Sequence, residues 1–538
     1  MAEIDLGTAV RDIGDYAFAE AGLTHVRIPG SVTSVGSGAF SFCPDLAALG
    51  FDTPSQLKKV GGGAFASCPL AAPVVLPDSV AWLGDEAFCD CSRLPEIDIP
   101  ASICVLRDGV FSGCHSLVTV RTLGPLTNIC DFALHMCHLL VAIDLASVVT
   151  IGESGLSECH ALTHVSLGRV VKLGESAFKG CRNLGGAECK LDLGALTELG
   201  GCVFAMSGVV HITLPATVVT VPTGAFGRCV KLATFEASGI TTIEDAAFQG
   251  CTALATLGDM PMLSSIGNSA FAGCASIAEF ALSETVFTIG SHAFRGCSAL
   301  MAISLPSSLV MLRQQVFSGC TALASVELET GCCIGSEAFK GCRALVTFEV
   351  MAGAVSTIGD RAFANCVELV TIDTSNVGVL GSGAFKGCAK LASLSLPSLR
   401  SIPVSAFHGA SALVEIDVGH VRRVGAKAFC NCTALRRVGL GSAVEFGNAA
   451  FFQCVALQSV AIADSLVKIG DCCFFGCVSL TDVAIPSTVK AVGDKAFYMC
   501  PDLTVTIATP VALYSLASPS AFEGCTVHHL GHPVAQAP

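Results

Sequence analysis

Apolar residues recur along this chain in a unit close to L-x-x-V-x-L-P-x-x-V-x-x-I-G-x-x-A-F-x-x-C, plain from Leu300 to Cys320 and again from Leu480 to Cys500. Taking the phenylalanine of A-F as a phase mark gives 23 units between Phe18 and Phe522, with Leu134 and Leu156 replacing two of the phenylalanines. Successive marks lie 22 or 23 residues apart, except for small insertions before Phe65, Phe204, Phe363 and Phe522. A fixed period of this length marks a solenoid, because one unit buries too little to fold alone and stacked neighbours close the core. No linker breaks the phase, so the array reads as one solenoid over residues 1–525, followed by a tail at 526–538.

Within the unit, Leu300-x-x-Ile303-x-Leu305-Pro306 alternates apolar and small polar residues at the period of a strand. Proline, lacking an N–H, then ends the ladder, and the same stop recurs at Pro29, Pro77, Pro100, Pro215, Pro397 and Pro486. A second short extended piece, such as Val489 to Val492, leads into Gly493. Three residues before the mark, 15 of the 23 units carry Asp, Ser, Asn or Thr, among them Asp15, Ser37, Asp85, Asn268, Ser336 and Asp494. These are helix-capping types, so A-F-x-x-C is predicted to form a short helical turn, with Lys179, Arg295, Lys340 and Lys386 suited to its C-terminal end. The expected class is therefore α/β and β-rich: a solenoid of about 23 coils with a parallel sheet along one face and short helical turns.

The I-G-x-x-A-F-x-x-C core, recurring from about residue 13 to residue 525, resembles the BspA-like, or treponemal-type, leucine-rich repeat. The resemblance implies a curved leucine-rich-repeat solenoid, often found in surface or secreted proteins of bacteria and parasitic protists that bind host or partner proteins.

Composition agrees with a large core: 52% of residues are hydrophobic and only 14% charged. The net charge of −14 argues against a phosphate-backbone partner and so against nucleic acid. Residues Met1 to Asp5 show neither a basic nor an apolar leader segment, and no apolar run approaches the ~18 residues of a spanning helix.

Cysteine lies three residues after the mark in 20 of 23 units, the exceptions being Ala21, Ser207 and Ala410. Stacked coils would bring these thiols within disulfide range at about 4.8 Å, yet each would have two equivalent neighbours and pairing would be frustrated. The expectation is a ladder of free, buried thiols in a reducing compartment, hence a cytoplasmic location; the alternative is the cell surface, or secretion by a route the sequence does not display. Cys89 with Cys91, Cys332-Cys333, Cys430 with Cys432 and Cys472-Cys473 lack the paired C-x-x-C spacing of a zinc site. His135-Met136-Cys137-His138 and His528-His529-x-x-His532 are the dense histidine groups, and neither is read as a metal site. The motifs G-x-S-x-G, G-x-x-x-x-G-K-[ST] and H-E-x-x-H are absent, so no catalytic residue and no cofactor is expected.

What is left for function is the strand face, where the residues flanking the inward V of L-x-x-V-x-L point outward. Between the units holding Glu188 and Asp417 those places include Glu188, Glu236, Glu279, Glu327, Glu349, Asp373, Glu415 and Asp417, flanked by Thr234, Ser325, Thr347 and Ser393, with no Lys or Arg. The sharper reading is a non-catalytic, monomeric scaffold docking a protein with a basic surface; the plainer one is that charge keeps a sheet surface solvated and apart from others. A cell-surface adhesin or antigen is the alternative function that the family resemblance suggests.

Overall fold

The structure, a computed structural model of the chain, describes residues 4–186, 191–418, 420–508, 517–518 and 520–529. It divides into two compact units, Met1–Leu263 and Ser264–Pro538. Each is a stack of coils forming a β-solenoid, and the strand pairs among the described residues are parallel. Among the described residues most coils contribute to two kinds of sheet. In the first unit Glu96–Ile99 pairs with Thr119–Thr122 on one side of the coil, while two-residue strands from Val105–Leu106 to Glu198–Leu199 form a five-stranded sheet on another. In the second unit Ala302–Leu305, Ser325–Leu328, Thr347–Val350 and Thr371–Ile372 form a four-stranded sheet, and Ser393–Ser395 opens a seven-stranded one. That sheet ends on Thr526–His529, which pairs in register with Thr504–Ile507, so the ladder continues into residues that the sequence assigned to a tail.

Strand alternation is as the sequence predicts: Ile303 and Leu305 are buried, while Ala302 and Ser304 are exposed. The prolines end these strands and start the next turn, since the Pro306 carbonyl accepts from Leu309 N–H at 3.2 Å and the Pro486 carbonyl from Val489 N–H at 3.2 Å.

The predicted helical turns do not form, and no α-helix occurs among the described residues. Around Phe363, only every second N–H stays inside the coil: Ala362 and Ala364 donate to Gly359 and Arg361. The N–H groups of Arg361, Phe363 and Asn365 instead donate to Ser382, Ala384 and Lys386 of the following coil at 2.7–2.8 Å. Facing alternate amides along the axis places Arg361 and Asn365 in the left-handed region, at φ 54° and 63°, and two such residues in five exclude a helix. The residues expected to cap helices act across coils as well. Asp360 Oδ1 accepts from Ser382 N–H at 2.6 Å, Asn268 Oδ1 from Ser291 N–H at 2.9 Å and Asp15 Oδ1 from Ser37 N–H at 2.7 Å. With no helix there is no dipole for the basic residues after the mark to complement; Lys340 pairs with Glu337 at 3.0 Å instead.

The core is a column of like side chains. In both units the mark phenylalanines stack with ring centroids 5.1–5.8 Å apart, nearly parallel in Phe40–Phe65 at 1° and Phe363–Phe385 at 3°. The repeated phase also explains the glycine of I-G. A Cβ on Gly381 would meet Asp360 N at 2.2 Å, and one on Gly493 would meet Asp471 N at 2.4 Å, so the backbone of the preceding coil fills the side-chain position. Gly381→Ala is expected to destabilise the second unit by about 1–3 kcal/mol. Phe363→Ala should cost about 3–5 kcal/mol. Gly378→Ala, where a Cβ meets nothing within 4 Å, should leave the urea midpoint unchanged or slightly raised.

Candidate functional site

The outward strand positions lie in two columns, one on each side of the inward residue. Glu327 faces Ser304 on one neighbouring strand and Glu349 on the other. Pairing of Thr347 with Thr371 and of Phe348 with Ile372 carries the same column on to Asp373. These three carboxylates, exposed and on successive coils, are the group that the fold brings together. Glu279 and Glu415 are exposed but occupy the other column, before Phe280 and Ile416, so the acidic residues do not form a single line. Glu415 has Ser393 and Arg437 as lateral neighbours. In the first unit Glu236 is exposed beside Thr213, whose hydroxyl donates to it at 3.2 Å. The backbone of Asp417 pairs with Ser395 and Gly439, but its side chain, like the whole of Glu188, lies outside the described residues. Of the flanking hydroxyls, Ser325 and Thr347 are half-buried on neighbouring strands and Ser393 is exposed.

Among the described residues none of Glu236, Glu279, Glu327, Glu349, Asp373 or Glu415 forms an ion pair. The Ser375 backbone N–H, 2.9 Å from Asp373 Oδ1, and the Ser375 hydroxyl hold the Asp373 carboxyl below the usual carboxylate range. Asp373 therefore stays charged well below neutral pH.

A third column, one residue before the strand, escaped the reading of the sequence. It carries Met301, Ala324, Val346, Val370, Ala392 and Val414 on six successive coils, all exposed, with Met301 at 49% and the three valines at 39–41%. Backbone bonds tie the column together: Ala324 N–H donates to Met301 O at 2.8 Å, Val346 N–H to Ala324 O at 2.9 Å and Val414 N–H to Ala392 O at 3.2 Å. The next residue in line is Arg436, also exposed, whose N–H donates to Val414 O at 2.8 Å. Beside it, on the coils of Ala392, Val414 and Arg436, an open depression of about 390 Å³ is lined by Ser393, Glu415, Arg437 and Gly439. The signal was present in the first x of L-x-x-V, which is apolar in these six units and basic in the seventh.

The family pattern described as BspA type leucine rich repeat region matches six times, over residues 1–91, 58–185, 190–280, 259–370, 329–436 and 444–530. The chain belongs to this family. Among solved structures, a leucine-rich repeat protein from Bacteroides ovatus is 23% identical over 72% of this chain and 92% of its own, with a TM-score of 0.50. A leucine rich cell surface protein from Faecalibacterium prausnitzii is 27% identical over 61% of this chain and 86% of its own, with a TM-score of 0.36. No curated protein matches the chain.

In this BspA-type chain the repeat cysteines do more than fill space. Each thiol reaches the previous coil, as Cys297, Cys342 and Cys388 do in donating to the carbonyls of Phe271, Phe317 and Phe363 at 3.1–3.2 Å. The cysteines of the described residues are free thiols, and burial pushes Cys297, Cys342 and Cys388 up to about 12. The first histidine group is likewise structural in its contacts. His138 is stacked between His115 and His160, with centroids 4.8 and 4.7 Å away, and His135 Nδ1 lies 2.6 Å from Ser157 Oγ. Among the described residues no group of three or more His, Cys, Asp or Glu is placed to hold a metal ion. In the second group, His528 and His529 belong to the last strand and His532 lies outside the described residues. No helix of the described residues is long and apolar enough to cross a membrane.

Two outcomes follow from these surroundings. In the native protein at about pH 8, a maleimide should modify exposed Cys104 and leave Cys297, Cys342 and Cys388 untouched until denaturant is added, whereas rapid native labelling of those three would contradict their burial. Burial lowers the His135 and His138 pKa values below 6.5; for His138 the neighbouring His160, His115 and His135 act in the same sense and the Glu158 carboxylate opposes them. A base with a depressed folded pKa binds protons more readily when unfolded, so its contribution is complete above about pH 6.5 and is lost as pH falls through the folded value. The melting temperature should therefore drop as pH falls below about 6.5, and His138→Gln should flatten that slope.

Proposed function

We propose that this chain is a non-catalytic protein-binding scaffold that takes its partner on the strand face of the Ser264–Pro538 unit. The observation that carries the reading is the column of exposed carboxylates at Glu327, Glu349 and Asp373, which form no ion pair among the described residues and are held at strand spacing by parallel pairing. Like charges at that spacing sum to a local field that attracts a basic protein segment and raises its association rate, an effect that salt weakens. Glu279 and Glu415 extend the field on the same unit, while Glu236 offers a smaller feature of the same kind on the other. The thiol ladder supports a reducing, cytoplasmic setting, because each thiol proton is used in a hydrogen bond that a disulfide would remove.

The test is capture by the intact chain, with the bound protein identified by mass spectrometry and compared between the native sequence and a variant carrying Glu327→Lys, Glu349→Lys and Asp373→Lys. The variant should fold normally, since all three side chains are outside the core, and should lose the partner. Capture by the native chain should fall steeply between low salt and about 0.5 M. Unchanged capture with unchanged salt dependence would reduce the carboxylates to a solubility feature.

A further inference from the structure

The exposed apolar residues from Met301 to Val414 each lie just before a strand of the sheet, beside the carboxylates, and the two columns repeat on the same coils. Val346 lies one residue before the strand Thr347–Val350 and three residues before Glu349, so at about 3.3 Å per residue the columns are at most about 10 Å apart. From coil to coil each column repeats at about 4.8 Å, the spacing of paired strands. A partner that satisfies both columns must present an apolar stripe and a basic stripe side by side, each with nearly that repeat.

An extended peptide laid along the axis repeats its side chains on one face every 6.6–6.8 Å or so and falls out of register after two coils. An α-helix in the same direction returns to each face every 5.4 Å or so, and its diameter of about 10–12 Å matches the separation of the columns. Five coil intervals, from Met301 to Val414, span about 24 Å, against about 27 Å for five helical turns. The misfit over the whole patch is about 3 Å, which flexible side chains absorb: Met301 at one end, and the long stems of partner Lys and Arg on the acidic side. Beyond Val414 the apolar column stops at Arg436, and with Arg437 beside it this end of the patch repels further basic residues.

We infer that the strand face between Met301 and Val414 binds an amphipathic basic α-helix of about five turns, lying along the solenoid axis with its apolar stripe on Met301, Val346, Val370 and Val414 and its Lys and Arg residues over Glu327, Glu349 and Asp373. The inference rests on the proposed scaffold function and names the partner's chemistry. Recognition divides between the two columns: the apolar one supplies the contact that is buried on binding, and the acidic one supplies orientation and rate.

The test uses the full chain and three labelled synthetic peptides of about 18 residues, the first two of identical composition, followed by fluorescence anisotropy and circular dichroism. The first peptide sets Leu on one helical stripe and Lys on the adjacent one; the second scrambles that order; the third keeps the order but contains two central prolines. The first should bind with a gain of helicity, and the other two should bind at least about tenfold more weakly. Val370→Ser combined with Val346→Ser should weaken the first peptide about tenfold, and Glu349→Lys should weaken it to a similar extent while reducing its salt dependence. Far-ultraviolet spectra and melting curves of both variants check that the fold is retained. Equal affinity for the ordered and scrambled peptides would overturn the helix while leaving a basic partner in place. Failure of all three peptides, beside a natural partner still lost on reversal of Glu327, Glu349 and Asp373, would overturn the helix alone. Natural capture that survives the reversal would remove the scaffold reading beneath it.

Discussion

A hydrogen bond that leaves one coil and lands on the next sets the axial spacing to which the rest of this molecule conforms. Around Phe363 it is made by Arg361, Phe363 and Asn365 to the following coil, and on the short-strand side Gly359 N–H donates to Ile334 O of the preceding one at 2.8 Å. Once coils are held at this spacing, every side chain meets its own counterpart above and below. The interior then accepts what stacks on itself, which a flat phenyl ring does with centroids slightly over 5 Å apart. Close approach removes the Cβ at Gly381 and Gly493, and turning alternate amides outward forces left-handed backbone at Arg361 and Asn365. Thiols use the remaining capacity of the Phe carbonyls, which already accept one backbone N–H, as Phe317 does from Cys320.

Much of this was written in the repeat. The period of two in Ala302–Leu305, the proline stops and the column of mark phenylalanines all depend on a residue and its immediate neighbours, which periodicity reports directly. The helical turn was misread because Asp360 and Asn268 are acceptors for backbone N–H groups in a turn as well as at a helix start. What differs is whose N–H they accept: in a helix it lies two or three residues on, and here it lies one coil on, at Ser382 and Ser291. A single unit cannot tell these apart. The thiol hydrogen bonds were missed for the same reason, since Cys342 and Phe317 are 25 residues apart in the chain.

The candidate surface was partly legible. Outward direction follows from strand parity, so Glu327, Glu349 and Asp373 could be placed on one face from the sequence. Parity does not say in which of two outward columns a residue stands, and Glu279 and Glu415 stand in the other one. Val346 and Val370 were overlooked because apolar residues in an apolar repeat are assigned to the core by default, and only the register of the coils exposes them. Surface order in a solenoid is thus a property of columns, and a column is invisible until units are aligned by phase.

The treatment of charge elsewhere in the chain bears on what the acidic column is for. Lateral neighbours on the short-strand sheets include Lys172 opposite Glu198, paired at 2.9 Å, and Glu445 between Arg423 and Lys468, each at 3.4 Å. On the long-strand side of the first unit, Arg121 pairs with Asp98 at 2.9 Å. Opposite charges in register are therefore available to this fold, and they relieve lateral repulsion at no cost to packing. Glu327 directly opposite Glu349 departs from that arrangement, with a penalty of about 0.2–1 kcal/mol for like charges placed so, and among the described residues neither has an ion-pair partner. A solubility role would be served equally by alternating signs, which leave the same number of charges in water. Departure from a local rule that the chain follows elsewhere, beside an exposed apolar column, supports the proposal that this surface takes a partner supplying the missing positive charge.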